Sequence, residues 1–261
     1  MKKAIVVVPI YKTNLDENEM LSLKRSVKML HQHPFAIACP EHLDITPLNS
    51  ILAPVHYTIH RFEDSYFKGI AGYNKLMLSE VFYNSFNEYQ YLLICQTDVF
   101  VFDDQLEYWC SKGYDYIGAP WIASKQTAIT KLLLNINNSF KKKKKRTEHF
   151  FKVGNGGFSL RKVSTMQRIV NEQKDNIEYC LTNPNDLSHH IEDVYFSLVA
   201  PALTEMKIPA YTEAVGFAMD RKPDIAYKLN GKKLPFASHR FYNRKVKEFW
   251  TPIIDKIQKA G

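Results

Sequence analysis

The stretch Tyr91-Leu92-Leu93-Ile94-Cys95-Gln96-Thr97-Asp98 is an apolar run that ends in polar residues. A continuous apolar run of this length predicts a buried strand. In open α/β sheets the ligand-binding crevice lies at the carboxyl ends of the strands, so a carboxylate at that end is well placed to meet a ligand. Asp98 is therefore the first candidate for a functional residue, and the stretch favours an α/β fold.

The sequence on both sides of this stretch alternates between strand and helix patterns. Apolar runs predict strands, and apolar residues at helical spacing predict helices. The predicted strands span 4–10, 35–39, 57–61, 91–95 and 114–118. The predicted helices span 18–31, 70–82, 163–173 and 191–203, and a glycine-rich turn at 154–157 precedes a further, alternating strand. This order predicts an α/β sheet with largely parallel strands that is flanked by helices.

Length and composition favour one intracellular domain. The 261 residues, 45% of them hydrophobic, can bury a sizeable core. The four cysteines lie far apart and form no CxxC pair, which is typical of reduced, mostly buried thiols. No run approaches the ~20 apolar residues that cross a bilayer, and the first apolar run is too short for a signal peptide. We therefore expect a cytoplasmic protein.

The net charge of +8 is unevenly distributed, since six cationic residues follow one another from Lys141 to Arg146. Such a run most often forms a solvated loop, because like charges repel each other. The alternative is attraction to an anionic surface, such as a phosphorylated glycan or the inner face of a membrane, where each charge contributes about 1 kcal/mol. Nucleic acid is not expected as a partner, because no aromatic residues interleave with the block and no nucleic-acid-binding motif occurs elsewhere.

Several motifs resemble those of the GT-A glycosyltransferases, which use nucleotide sugars as donors. In chain order these motifs are Gln96-Thr97-Asp98, Gly154-Asn155-Gly156-Gly157, Glu192-Asp193-Val194-Tyr195 and a late His239. More closely, Gly72-Tyr73-Asn74 and Tyr114-Asp115-Tyr116-Ile117-Gly118-Ala119-Pro120-Trp121 resemble a bacterial glycosyltransferase family of otherwise unassigned function. The resemblance covers roughly residues 60–250.

The resemblance implies a single domain with a GT-A-like, Rossmann-like fold. Such a protein transfers a sugar from a nucleoside diphosphate sugar to a glycan or lipid-linked acceptor, as in polysaccharide or lipopolysaccharide biosynthesis. Residues 1–122 then form the nucleotide-sugar-binding half, 123–150 a basic insertion, and 151–261 the acceptor-side half.

A divalent cation, Mn2+ or Mg2+, is the cofactor that the resemblance implies. A departing diphosphate develops negative charge, which a cation or fixed positive charge stabilises. Asp98 matches the last acid of the Asp-X-Asp pattern that binds this cation, and His239 matches a late histidine that reaches back to it. Gln96 replaces the first acid and binds a cation less well, so metal dependence stays open. Arg240 is an alternative source of positive charge for the phosphates.

The pair Glu192-Asp193 matches the acids that act on the acceptor in inverting enzymes of this type. One such carboxylate takes the proton of the acceptor hydroxyl as that hydroxyl attacks the anomeric carbon. We expect Asp193 to be this base, and Glu192 to bind acceptor hydroxyls or to hold Asp193 in place. The alternative is structural, because carboxylates are also favoured in the first turn of a helix.

Further residues are assigned to the two substrates by their places in these motifs. Tyr11 can stack on the nucleobase, and Trp121 offers a flat face to a sugar ring. Tyr73 is expected in the core, with Asn74 and Lys75 facing outward to the donor. The remaining donor-binding candidates are Pro9, Gln96 and Thr97, and the remaining acceptor-binding candidates are Asn155, Gly156 and Gly157.

Two other functions stay open at this point. One is a catalytically inactive protein that binds sugar nucleotides or glycans, because Gln96 departs from the paired-acid pattern. The other is a sugar nucleotidyltransferase. It is disfavoured, because that class opens with a glycine-rich, basic loop after the first strand and residues 11–15 contain no glycine.

Overall fold

A six-stranded sheet lies at the centre of the computed structural model, which describes residues 1–123, 149–185 and 187–260. Within these ranges the strands are, in chain order, β1 (Lys2–Pro9), β2 (Phe35–Pro40), β3 (Tyr57–Phe62), β4 (Tyr89–Cys95), β5 (Val99–Val101), β6 (Tyr116–Gly118), β7 (Phe158–Lys162), β8 (Ala218–Met219) and β9 (Ala237–His239). The central sheet has the order β3-β2-β1-β4-β7-β6, and a small second sheet has the order β5-β9-β8.

The central sheet is mostly parallel. β3, β2, β1 and β4 are parallel neighbours, while β7 runs antiparallel between β4 and β6. Parallel strands need crossover connections, which helices supply here. The predicted fold class, a mostly parallel α/β sheet flanked by helices in a single domain, is confirmed.

Helices follow most of the strands. The α-helices of the described ranges are Glu17–Leu30, Asn49–Leu52, Gly69–Met77, Glu80–Asn84, Leu106–Ser111, Val163–Glu172, Lys174–Thr182, Glu192–Val194, Ala200–Leu203, Tyr211–Phe217, Pro223–Leu229 and Lys247–Ala260. Short 3-10 helices span Thr46–Leu48 and Asp64–Phe67, and a π-helix spans Tyr195–Val199.

Alternate residues of β1 pack into two apolar cores. Val6 and Val8 belong to the core that contains Leu23 of helix Glu17–Leu30, whereas Val7 belongs to the core that contains Leu76 of helix Gly69–Met77. Full burial of a branched apolar side chain stabilises a fold by roughly 1.5–3 kcal/mol. β1 and its neighbour β4 are therefore packed on both faces. This packing fixes the positions at which the residues that follow the two strands begin.

Three local predictions were wrong. The predicted helix 70–82 is interrupted, because the side chain of Ser79 accepts a hydrogen bond from the Phe82 N–H and starts a second helix, Glu80–Asn84. The predicted helix 191–203 contains the π-helical segment Tyr195–Val199. The strand at 158–162 does not alternate between buried and exposed residues, because β7 lies between two other strands and is covered on both faces.

The remaining predictions concern the cysteines, membrane-spanning helices and the basic block. All four cysteines are buried and free of disulfides, as expected. No helix in the described part of the chain is both long and apolar enough to cross a bilayer. The basic block from Lys141 to Arg146 and most of the predicted insertion 123–150 lie outside the described residues, so contact with an anionic membrane stays a prediction.

Candidate active site

The carboxyl ends of β1 and β4 meet at one edge of the central sheet. These two strands are parallel, with Val7 opposite Ile94, so the residues that follow them lie side by side. β7 runs in the opposite direction beside β4 and begins at the same edge, where the Gln96 N–H donates to the Gly157 carbonyl at 2.9 Å. The sheet therefore brings together the segments 9–11, 96–98 and 154–157.

The small second sheet brings His239 to this edge. β5 follows Asp98 directly and pairs antiparallel with β9, which sets Val99 opposite His239. Next along the chain, Arg240 adopts a left-handed backbone with φ of 54°, and its N–H donates to the Asp98 carbonyl at 2.8 Å. The two residues predicted as metal ligands, Asp98 and His239, are therefore neighbours.

Asp98, His239 and Asp220 form a line of charged groups. His239 Nε2 lies 3.2 Å from Asp98 Oδ1, and His239 Nδ1 lies 3.5 Å from Asp220 Oδ1. Burial alone would lower the pKa of His239, but the two carboxylates raise it to about 9. Burial would likewise raise the pKa of Asp98, yet the charge of His239 keeps it below its ordinary value. At neutral pH an imidazolium therefore lies between two carboxylates.

These residues also fit a divalent cation. Asp98 Oδ1 and His239 Nε2 are buried without a well-aligned hydrogen bond to any described residue, and their 3.2 Å separation is close to the spacing of about 3 Å between adjacent ligands of a hard cation. Asp220 on the other ring nitrogen would orient the imidazole, as outer carboxylates do in metal sites. No group of three or more acidic, histidine or cysteine side chains in the described ranges could hold a metal. A cation held by Asp98 and His239 would need further ligands, and water or phosphate oxygens are of the type that Mg2+ takes.

A cavity of about 400 Å³ opens beside Asp98. This volume lies within the range of about 300–1,000 Å³ that is typical of small-molecule sites. Polar groups of residues 96–98 contribute one part of its wall. The aromatic side chains that line it are Tyr11, Tyr66, Phe67, Tyr73 and Tyr242. Aromatic rings and a carboxylate thus line the same cavity.

Most of the predicted donor-binding residues lie at this cavity. Those that line it are Pro9, Tyr11, Gln96, Thr97 and Asp98. The Tyr11 side chain is 57% exposed, which leaves its ring accessible to a ligand. Arg240 is exposed at the Asp98 end, where its charge also helps to lower the pKa of Asp98.

Asn74 and Lys75 lie elsewhere, contrary to the prediction that both face the donor. Asn74 is only 3% exposed, and its Oδ1 accepts a hydrogen bond from the Glu192 N–H at 3.2 Å. Both residues line a separate cleft of about 620 Å³ beside helix Lys174–Thr182. Tyr73 packs against the apolar core that contains Leu76, as expected, and it also lines the 400 Å³ cavity. The helical spacing did not reveal that the Asn74 amide is used to hold the backbone before Asp193.

The glycines of the turn 154–157 make room for protein side chains. A Cβ on Gly157 would lie 2.2 Å from His239 Nε2, and a Cβ on Gly156 would lie 1.7 Å from Glu192 Oε1. Asn155 is also engaged, since its amide nitrogen donates to Asp220 Oδ2 at 3.1 Å. The expectation that this bare backbone admits a sugar ring is therefore corrected: His239 and Glu192 fill the space beside Gly156 and Gly157.

Trp121, the remaining acceptor candidate, packs against this same turn. A Cβ on Gly154 would lie 2.0 Å from the indole, and the ring centroid of His149 lies 5.5 Å from that of Trp121. Trp121 is partly buried and does not line the 400 Å³ cavity. Its visible contacts are therefore with the protein.

Glu192 and Asp193 differ in their surroundings. Glu192 Oε2 lies 2.8 Å from Arg161 Nη2 in the interior, and burial, opposed by Arg161, raises the pKa of Glu192 to about 7. Asp193 Oδ2 accepts a hydrogen bond from the Gly156 N–H at 3.3 Å, and burial raises the pKa of Asp193 as well. Asp193 Oδ1 is buried and has no hydrogen-bond partner among the described residues. Glu192 Oε2 faces the Arg161 cation, whereas no cationic side chain of the described residues pairs with Asp193 Oδ1.

Arg161 is a site residue that the sequence analysis missed. Its side chain is fully buried, Nη1 donates to the Tyr83 hydroxyl at 2.9 Å, and Nε donates to Ser159 Oγ at 3.0 Å. Lone charged residues are almost never fully buried unless they are paired. The alternating pattern at 158–162 puts Arg161 on the same face as Ser159, which predicts exposure, so no local signal pointed to its burial. Asp220 was also missed, although it follows strand β8 as Asp98 follows β4.

These features define the class as an α/β protein with a charged ligand cavity at the carboxyl ends of its strands. A family model described as "protein of unknown function (DUF5672)" matches residues 56–239. The match covers more than half of the chain, which therefore belongs to this family. No curated protein sequence matches the chain.

The solved structures that are similar to the chain include two glycan-forming enzymes. The first is core-mannan synthase A (CmsA/Ktr4) from Aspergillus fumigatus in an Mn/GDP form, with 11% identity, a TM-score of 0.49, and coverage of 82% of this chain and 73% of that one. The second is the glycosyltransferase GlyE of Streptococcus pneumoniae TIGR4, with 12% identity, a TM-score of 0.49, and coverage of 94% and 56%. The chain thus spans little more than half the length of the GlyE structure.

Proposed function

We propose that this protein is a glycosyltransferase that moves a sugar from a nucleoside diphosphate sugar to a hydroxyl group of a glycan or lipid-linked acceptor, with inversion at the anomeric carbon. The observation that carries the proposal is the shared cavity of about 400 Å³, in which exposed Tyr11 and the Asp98 carboxylate line the same space. An aromatic face suits a nucleobase, and a charged cluster suits a diphosphate.

The donor is proposed to lie across this cavity. Tyr11 stacks on the nucleobase, and the polar groups of Gln96 and Thr97 bind the ribose. The diphosphate lies towards Asp98, where Arg240 provides positive charge. His239 adds positive charge there only when its ring is protonated and no cation is bound. A bound Mn2+ or Mg2+, held by Asp98 and His239, would stabilise negative charge on the departing diphosphate.

Asp193 is proposed as the base. The acceptor oxygen attacks the anomeric carbon, its proton passes to Asp193 Oδ1, and the bond between that carbon and the diphosphate oxygen breaks. Attack on the face opposite the leaving group inverts the configuration. The transition state has oxocarbenium character, so the Asp193 carboxylate also stabilises it by charge.

A second candidate is a binding protein without turnover. The observation in its favour is Gln96, which stands where the Asp-X-Asp pattern has an acid and whose Oε1 packs near Gly157. This candidate predicts tight binding of a sugar nucleotide or glycan and no consumption of donor.

Binding and turnover separate the two candidates. Calorimetric titration with uridine, guanosine and cytidine diphosphate sugars, with and without Mn2+, identifies the donor. Assay of nucleoside diphosphate release then reports turnover, with Asp193→Asn as the test variant and Asp224→Asn, an exposed acid on helix Pro223–Leu229, as its matched control. We expect the D193N variant to bind donor and release no diphosphate, while D224N behaves as the wild type. Binding with no release by the wild type would favour the second candidate, and release by D193N would refute the role of Asp193.

A further inference from the structure

Contacts around Asp193 close into a ring. Arg161 Nε donates to Ser159 Oγ at 3.0 Å, and Ser159 Oγ donates to the Gly156 carbonyl at 3.0 Å. The Gly156 N–H donates to Asp193 Oδ2 at 3.3 Å. Asp193 follows Glu192 in the chain, and Glu192 Oε2 returns to Arg161 Nη2 at 2.8 Å.

Arg161 also contacts residues that are not part of the ring. The guanidinium of Arg161 lies 5.5 Å from the centroids of both Tyr116 and Phe196, and Nη1 donates to the Tyr83 hydroxyl. That hydroxyl in turn donates to the Met77 carbonyl at 2.8 Å. Hydrogen bonds are stronger in such a low-dielectric interior, and networks of them support one another. The position of Arg161 is thus fixed by contacts that do not involve Asp193.

The ring leaves one oxygen of Asp193 without a partner. Oδ2 is bound to the Gly156 amide, while Oδ1 is buried and accepts no hydrogen bond from the described residues. A carboxylate that was free to turn about its Cβ–Cγ bond would exchange its two oxygens. Because Gly156 is fixed through Ser159 and Arg161, the orientation of Asp193 is fixed too.

We propose that Arg161 and Ser159 are positioning residues that hold Asp193 through the Gly156 amide and so present Oδ1 to the acceptor hydroxyl. The inference rests on the proposed function for the identity of the proton donor, but the ring itself is a property of the protein alone. Neither Arg161 nor Ser159 contacts a substrate in this account. Both act through the backbone of Gly156 and through Glu192.

The pKa of Asp193 reports on the ring, because the ring supplies a hydrogen bond that favours the ionised carboxylate. Burial raises the pKa of Asp193, whereas the backbone N–H groups of Gly156 and Val194 and the charges of Arg161 and His239 oppose that rise. Glu192, the acid next to it, pairs with Arg161. Loss of the Gly156 hydrogen bond removes one of the opposing contributions. The ionised form of Asp193 is then less favoured, so its pKa must increase further.

Ser159→Ala opens the ring and keeps every charge in place. In protein labelled with ¹³C at the aspartate carboxyl carbons, the Asp193 signal is assigned by its loss in Asp193→Asn, and its pKa is read from a pH titration. We expect S159A to raise the pKa of Asp193 by about one unit, the effect of a hydrogen bond to a charged group. Arg161→Lys keeps the positive charge but lacks the planar guanidinium, so it also loses the hydrogen bond to Ser159. We expect R161K to shift the pKa of Asp193 in the same direction.

Thr165→Val is the matched control, since Thr165 is also buried and donates to Asp115 Oδ1 at 2.6 Å without touching the ring. We expect T165V to destabilise the fold and to leave the Asp193 titration unchanged. In turnover assays S159A should lower kcat, leave the donor Kd unchanged and move the acidic limb of the pH profile to higher pH. An Asp193 titration that is identical in wild type, S159A and R161K would overturn the inference. Failure of the wild type to consume any donor would refute the proposed function instead, while the titration would still decide the role of the ring.

Discussion

Arg161 of β7 and Glu192 of helix Glu192–Val194 form an ion pair in the interior, with 2.8 Å between Nη2 and Oε2. Loss of one member of a buried pair leaves the other charge unpaired and costs about 3–5 kcal/mol. We therefore expect Arg161→Met to lower the free energy of unfolding by about that amount, as measured by urea denaturation. The double variant R161M/E192Q should recover much of the loss, because no buried charge is left unpaired. An R161M variant as stable as the wild type would contradict this account of the pair.

The stability of the fold should depend on pH through Glu192. Burial raises the pKa of Glu192 from 4.5 to about 7 in the folded state, against the opposing charge of Arg161. The folded state thus binds this proton more tightly than the unfolded state does, so the stabilisation is complete below pH 4.5 and is lost as the pH rises to about 7. Glu192→Gln mimics the neutral acid. The unfolding free energy of the wild type relative to E192Q should fall between pH 4.5 and 7, and a constant difference across that window would refute the assignment.

Gly157→Ala should disrupt the charged cluster while leaving the chain folded. The added Cβ would lie 2.2 Å from His239 Nε2 and 2.8 Å from Gln96 Oε1, so the imidazole must move away from Asp98. We expect nucleotide binding to fall at least tenfold in calorimetry, a loss of about 1.4 kcal/mol. Gly216→Ala is the control, because its Cβ would lie 3.2 Å from the end of the Asn230 side chain and in ordinary contact with the Trp109 indole at 3.6 Å. Unchanged binding by G157A would mean that His239 takes no part in it.

Asp220 should affect metal binding without contacting the metal. It lies 3.5 Å from His239 Nδ1 and so orients the imidazole whose Nε2 faces Asp98. Loss of such an outer partner typically weakens metal affinity about 10–100-fold. Asp220→Asn should therefore weaken Mn2+ binding, measured by electron paramagnetic resonance in the presence of a nucleoside diphosphate, while Asp224→Asn should not. Equal Mn2+ affinity in D220N and wild type would argue for His239 as a simple cation instead of a ligand.

Tyr11 should contribute to donor affinity through its ring. Stacking of a base on an aromatic side chain is worth about 1–3 kcal/mol, so Tyr11→Ala should weaken donor binding about tenfold or more. Tyr11→Phe keeps the ring and should bind the donor as the wild type does. Calorimetric titration of the two variants compares them directly, and equal affinities of Y11A and Y11F would place the nucleobase elsewhere.

The fold class and the position of residues 96–98 beside a cavity followed from local sequence patterns. Apolar runs located the strands, and the rule that ligands bind at the carboxyl ends of strands located residues 96–98 correctly beside a cavity. The neighbourhood of Asp98 and His239 depends on the antiparallel pairing of β5 with β9, which no local pattern specifies. The resemblance to glycosyltransferases predicted that these two residues lie close together, because it assigns both to the same cation.

The surroundings of Glu192 and of the turn 154–157 were less predictable, because the residues there contact one another across long sequence separations. Asn74 was expected to face outward, yet its amide holds the Glu192 backbone. The side chains of Glu192 and His239 occupy the space beside Gly156 and Gly157. A glycine in the sequence indicates free space at that position, but it does not indicate which group occupies the space. Tertiary packing of this kind overrides local patterns.

Inverting transfer with Asp193 as the base is tested most sharply by the stereochemistry of donor cleavage. Proton NMR, recorded while the protein consumes an α-linked nucleoside diphosphate sugar identified by calorimetry, shows which anomer is released or transferred first. We expect the β-anomer to appear first, at a rate that falls at least a thousandfold in D193N, which corresponds to about 4 kcal/mol of lost transition-state stabilisation. Release of the α-anomer, or consumption of donor at the wild-type rate by D193N, would contradict it.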